Sequence, residues 1–186
     1  MKTFISFAAL LGACADSLGA QSPAPNPEIR PFVGLAIPIG LQAAFLNAAP
    51  LLGLQAGVEV TPTLTLLGSL GRVQGRDKYL ADVGLGVLEY NGGVEFSSTK
   101  PYGAGWRFKP FLGLGGGARR YTYHAGSLRD RTSPTGYGSL GTEFQVRAIA
   151  FRFEARNAVY RSALAEGASG TGNDLELSLG VAYHLR

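Results

Sequence analysis

DLELSLGVAYHLR, the stretch from Asp174 to Arg186, alternates without a break. Leu175, Leu177, Leu179, Val181, Tyr183 and Leu185 fall on one face of it. Glu176, Ser178, Gly180, Ala182, His184 and Arg186 fall on the other. Successive side chains of a strand point to opposite sides, so the stretch predicts a strand with one wholly apolar face and one polar or small face. A soluble sandwich strand can alternate in the same way, with its apolar face inward and its polar face wet. The identity of the second face decides between the two. Glycine, alanine and serine beside a few charges suit the interior of a narrow barrel better than open solvent.

The rest of the chain repeats this plan seven times. Strands are predicted over Arg30–Gly40, Leu51–Val60, Leu64–Val73, Gly84–Ser97, Arg107–Tyr123, Tyr137–Val146 and Ile149–Tyr160. Thr61-Pro62-Thr63 makes a tight turn, because proline fixes its own backbone angle and donates no ladder hydrogen bond. Arg147-Ala148 is an equally short link. Gln74–Asp82, His124–Ser133 and Arg161–Asn173 are longer polar loops, and Leu41–Pro50 is a milder one. Ser98–Trp106 is an intermediate connection on the side of the two short turns, and shorter turns on one side with longer polar loops on the other are the asymmetry of barrels that cross an outer membrane. In the fourth strand Leu85 and Val87 are apolar where Glu89 and Glu95 are charged, which predicts a register break near Val87. RPFVGL from Arg30 and KPFLGL from Lys109 read alike, as if they opened equivalent strands of a repeated hairpin.

The amino terminus follows a different logic. Lys2, the apolar run Phe4–Ala15 and the small-residue site Leu18-Gly19-Ala20 predict a cleaved signal peptide over residues 1–20. Residues 21–29 form a Pro-rich periplasmic leader, and residues 30–186 a single barrel domain. Leu11-Gly12-Ala13-Cys14 offers a second reading, a lipoprotein box with Cys14 lipidated, although the site at Ala20 fits the length of a signal better. Cys14 is the sole cysteine, so no internal disulfide is available. The 186 residues include 27 glycines and only 16% charged residues, which argues against a disordered chain. There is no apolar run of ~20 residues, so any membrane crossing must be made by strands.

Two likenesses point the same way. Ser178, Gly180, Tyr183 and Leu185 resemble the C-terminal insertion signal of bacterial outer-membrane barrels, with the difference that Leu185 and Arg186 stand where that family ends on an aromatic residue. As a pattern of eight strands, the mature chain resembles the small OmpA/OmpX-type barrels. The resemblance implies an all-β, eight-stranded antiparallel up-and-down transmembrane β-barrel in the outer membrane of a Gram-negative bacterium. It also implies a monomer, partnered by outer-membrane lipid, lipopolysaccharide and the assembly machinery, with a structural or surface-interaction role.

Inward parity collects Glu59, Glu89, Glu95, Glu143, Glu154 and Glu176 with Arg119, Arg152 and Arg156, while Lys109 and Arg186 lie nearer one rim. Isolated buried charge is very costly, so these groups are expected to pair, in near balance, and to fill the lumen. Eight strands leave room for side chains rather than a wide pore. On the external loops, Arg76, Lys78, Arg129 and Arg131 are placed to meet lipopolysaccharide phosphates.

Catalysis has little to stand on. His124 and Ser127 make H-x-x-S on a loop, unlike the H-x-S strand pattern of the outer-membrane deacylases, and His184 joins the polar face. A lipid A-modifying enzyme remains the enzymatic alternative, and a secreted ligand-binding barrel a lesser one. Neither histidine has ligands at metal spacing, and Gly113–Gly117 lies within a strand rather than before a helix, so no cofactor is predicted. The net charge of +4 is not gathered into a basic cluster, which speaks against nucleic acid.

Overall fold

Backbone pairing follows the alternation and then runs past it. The structure, a computed structural model, describes residues 27–40, 42–76, 84–98, 107–123, 130–146, 149–161 and 170–183. Within them lie β1 (Pro27–Ile39), the single helical turn α1 (Gln42–Phe45), β2 (Ala49–Thr61) and β3 (Leu64–Arg76). There follow β4 (Gly84–Ser97), β5 (Arg107–Tyr123), β6 (Arg131–Val146), β7 (Ile149–Arg161) and β8 (Thr171–Tyr183). Each strand pairs antiparallel with the next, and β8 pairs back onto β1 from Phe32–Gly180 to Ile39–Asn173. The sheet is therefore a closed up-and-down barrel of eight strands, which leaves no free edge.

Several strands begin earlier than the apolar pattern does. β1 starts at Pro27, inside the stretch read as leader, with Ile29 opposite Ala56 of β2. β6 starts at Arg131 rather than Tyr137, because Tyr121 and Gly117 of β5 supply partners for Arg131 and Thr135. A ladder needs backbone groups, not apolar side chains, so polar and glycine residues extend it freely. The register break expected near Val87 does not occur. β4 pairs residue for residue with β3 and β5 throughout, and Leu85 and Val87 face inward along with Glu89. The irregularity lies instead in β2, between Glu59 and Thr61, just before the two-residue turn Pro62-Thr63. An extra residue there tightens the strand into the turn.

The barrel has two unlike ends. The β2–β3 and β6–β7 turns, with the start of β1 and the end of β8, lie at one, called here the short-turn end. α1 and the β3–β4, β5–β6 and β7–β8 connections lie at the long-loop end. Gly40, at φ +63°, takes β1 into α1, where Leu46 donates its N–H to the Gln42 carbonyl at 2.9 Å. Leu46 then packs on an apolar cluster inside that mouth, made of Leu51, Val73, Leu85, Val87, Tyr121 and Tyr123 among others.

The polarity of the whole is inverted. Ile29, Leu52, Leu112, Leu140 and Phe153 are at least half exposed on the outer surface, whereas Arg119 and Arg152 inside are only 2% and 3% exposed. Phe108 and Phe144 meet edge to face at 5.0 Å, outward, near the short-turn end.

Candidate functional site

The lumen is a chain of arginines, each wrapped by acids from other strands. Nearest the short-turn end, Arg30 of β1 donates to Gln55 of β2 at 2.6 Å and to Glu143 of β6 at 3.0 Å, and also pairs with Glu28. At mid-height, β7 sets Arg152, Glu154 and Arg156 two residues apart, so all three point inward. Glu154 accepts from Arg152 at 3.1 Å and from Arg156 at 2.9 Å, while Arg152 reaches across to Glu95 of β4 at 2.5 Å. Toward the long-loop end, Arg119 of β5 gathers Glu89 at 2.7 Å and, from β8, Asp174 and Glu176 at 2.6 Å each. Glu176 also lies 4.0 Å from Arg156, which links the upper and middle groups.

Aromatic rings supply the walls. Arg119 stacks 4.2 Å from the centre of the Tyr160 ring, Arg152 3.4 Å from Phe111 and Arg156 4.3 Å from Tyr137. Each ring offers its negative face to a delocalised cation, which suits arginine. Tyr160 also donates its hydroxyl to Asp174 at 2.9 Å. The rings need glycine opposite them. A Cβ on Gly53 would run into Phe32, and one on Gly141 into Phe111. These two contacts are equivalent: Phe32 and Phe111 are the phenylalanines of RPFVGL and KPFLGL, each facing a glycine on the following strand.

The packed interior leaves small spaces. Cavities of about 50, 10 and 30 Å³ lie beside Lys109 and Glu143, beside Arg152 and Ser178, and beneath Leu85 and Tyr121 respectively. Each is on the scale of a few water molecules.

Eight of the nine residues assigned to the interior lie in this network: Glu89, Glu95, Glu143, Glu154, Glu176, Arg119, Arg152 and Arg156 are all buried. Glu59 stands at the short-turn mouth, exposed, beside Glu28, Lys109 and Glu95 and outside the ion pairs. Arg30, Glu28 and Asp174 belong to the network without having been singled out in the sequence. Asp174 has the parity of Glu176, and Arg30 matches Lys109 in the repeat, so both signals were present. Among the described residues, seven carboxylates pair with four arginines, and Glu59 and Lys109 at the mouth add one of each; Arg186, read with the interior bases, lies outside the described residues. Even so, no three acidic, histidine or cysteine side chains among the described residues are arranged to hold a metal ion.

Of the insertion signal, Ser178 and Gly180 face the lumen, where Gly180 gives room to the Arg30 side chain; Tyr183 ends β8, and Leu185 lies outside the described residues. Arg76 ends β3 and Arg131 opens β6, both exposed. Lys78, Arg129, His124, Ser127, His184, Arg186 and residues 1–26, Cys14 among them, lie outside the described residues.

No protein-family model matches the sequence, and no curated protein is significantly similar to it. Solved structures are. Neisserial surface protein A superposes with a TM-score of 0.62 at 12% identity, over 86% of this chain and 97% of that one. The outer membrane protein OprG of Pseudomonas aeruginosa gives 0.57 at 16% identity, over 87% and 96%. This chain has the fold of the small outer-membrane barrels. The N-terminal β-barrel domain of OprF from the same Pseudomonas species gives 0.50 at 15% identity, over 87% of this barrel and 99% of its own length. At such identities the likeness to outer-membrane barrels is one of architecture. What this barrel does must be argued from its own surfaces.

Proposed function

We propose that the chain is a monomeric integral protein of the bacterial outer membrane, exported by a cleaved signal peptide. In this reading its lumen is a structural core, and its role is structural or surface-interactive, exercised at the long-loop end rather than through a pore or a reaction. The observation that carries the reading is the inverted polarity: large apolar side chains face out while the arginines are buried. In water an exposed belt of that extent would drive association, whereas in a bilayer it is matched by lipid. The buried carboxylates and guanidiniums hold one another in place, which supports a core rather than a reactive centre.

The test has two parts. The protein should fractionate with the outer membrane, and when reconstituted into planar bilayers it should stay closed. Recovery from the soluble periplasm would refute the membrane reading, and steady conductance would refute the filled lumen.

A further inference from the structure

The outer face of the barrel carries charge of one sign at one end. Among the described residues, the charged side chains at outward strand positions are Arg72 and Arg76 of β3, Arg120 of β5 and Arg161 of β7. Their neighbours Val73, Arg119, Tyr121 and Tyr160 are buried in the lumen, so alternation turns these four arginines outward, and all four are exposed. All lie at the long-loop end. Below them the outward positions are apolar or uncharged down to the short-turn end, as in Leu64, Leu66 and Leu70 of β3 or Phe108, Leu112 and Leu114 of β5. On β5 that run covers about ten residues, which at ~3.3 Å per residue and a tilt of ~40° rises roughly 25 Å, the height of a membrane belt. Arg120 therefore stands one step beyond the apolar layer, at the depth of lipid headgroups.

Two of the arginines face each other across one strand. Arg72 pairs in register with Leu88 of β4, and Leu88 with Arg120 of β5. Two strand spacings put the arginine backbones about 10 Å apart on the same face. Between them, toward the loops, β4 offers only Gly86 and Gly84, flanked by Gln74 and Thr122. The result is a shallow trough with cationic and hydrogen-bonding sides, its floor bare at Gly86 and Gly84 and bounded on the membrane side by Leu88, which stands between the two arginines. Among the described residues one acid lies nearby: Asp130 pairs with Arg120 at 2.7 Å, both groups being well exposed. An exposed pair of this kind is weak and exchanges readily for a stronger anion.

We infer that this trough binds the phosphorylated headgroup of an outer-leaflet lipid, with Arg72 and Arg120 each engaging phosphate through the planar guanidinium fork. Among the described residues the charged groups of the collar are all arginines, which fits that chemistry, because the fork meets phosphate oxygens in pairs. The lipid's acyl chains would lie along Leu70, Tyr90 and Ala118, the outward row in register directly below the arginines. The site differs from the loop residues read from the sequence, and it rests on the membrane reading above.

The probe is lipid A in its bis-phosphorylated and dephosphorylated forms, added to the full mature barrel in detergent and counted as bound lipid by native mass spectrometry. The wild type should retain the phosphorylated form preferentially. R72Q/R120Q should lose roughly tenfold in that retention while keeping the heat-modifiable gel mobility of a folded barrel. R72K/R120K should recover part of it, and salt should weaken what remains. Equal retention of both lipids by the wild type, or undiminished retention by the glutamine variant, overturns the inference alone. A protein that does not insert into phospholipid vesicles at all overturns the membrane reading and this site together.

Discussion

Gly141 shows how little freedom single residues have in this lumen. Its missing Cβ leaves space for the Phe111 ring, and Phe111 in turn lies under the Arg152 guanidinium. Gly141→Ala would push on the ring and on the backbone of β7 at Phe153 together, an overpacking that costs ~1–3 kcal/mol. Gly68 offers the matched control, since a Cβ there meets nothing within 4 Å and the site faces outward. Gly68→Ala should be close to neutral in a urea titration of the refolded barrel, and Gly141→Ala clearly destabilised. Similar midpoints for the two would mean that the ring-on-glycine contact does not matter. Composition shows the abundance of glycine, but which glycine faces which ring depends on register between strands, and one strand's sequence does not contain it.

At the scale of the element, β7 is the most explicit strand, with Arg152, Glu154 and Arg156 on one face and Phe151 and Phe153 on the other. Glu154→Ala should destabilise the barrel, because it strips Arg156 of its nearest carboxylate and leaves Arg152 with Glu95 alone among the acids it pairs with. Breaking such a buried pair costs up to ~3–5 kcal/mol, less where water enters. Phe153→Arg should hurt from the opposite side by ~2–4 kcal/mol, since it sets a charge against lipid. Chemical unfolding of both in lipid vesicles checks the pair, and a harmless Phe153→Arg would contradict the outward assignment. The alternation in β7 and β8 was plain in the sequence because each face has a single character. β4 was harder: its inward face changes from charged at Glu89 to apolar at Val87 and Leu85, which looks like a slipped phase. The lumen itself changes character at that height, from ion pairs to the cluster around Tyr121, and only the assembled neighbours reveal it. β1 begins inside the Pro-rich stretch for a related reason, since Pro27 and Glu28 find partners only once β2 lies beside them.

For the whole molecule, the arrangement of partners has a bearing on time. Arg119 sits on the fifth strand, but Asp174 and Glu176 arrive with the last one, and Tyr160 waits for the same Asp174. Arg30, on the first strand, likewise meets Glu143 on the sixth. These contacts span most of the chain, so they exist only after the ring has shut, and long-range pairing of this kind folds slowly. Contacts made after the transition state govern the rate of escape rather than the rate of arrival. Asp174→Ala should accordingly refold at nearly the wild-type rate and unfold markedly faster, as followed by gel mobility over time. A variant slowed in folding and unchanged in unfolding would put closure early instead. The filled interior thus acts as a latch on the seam between β1 and β8: until the final strand docks, Glu89 is the one acid of its three that Arg119 can hold, and once that strand has docked the chain is slow to come apart.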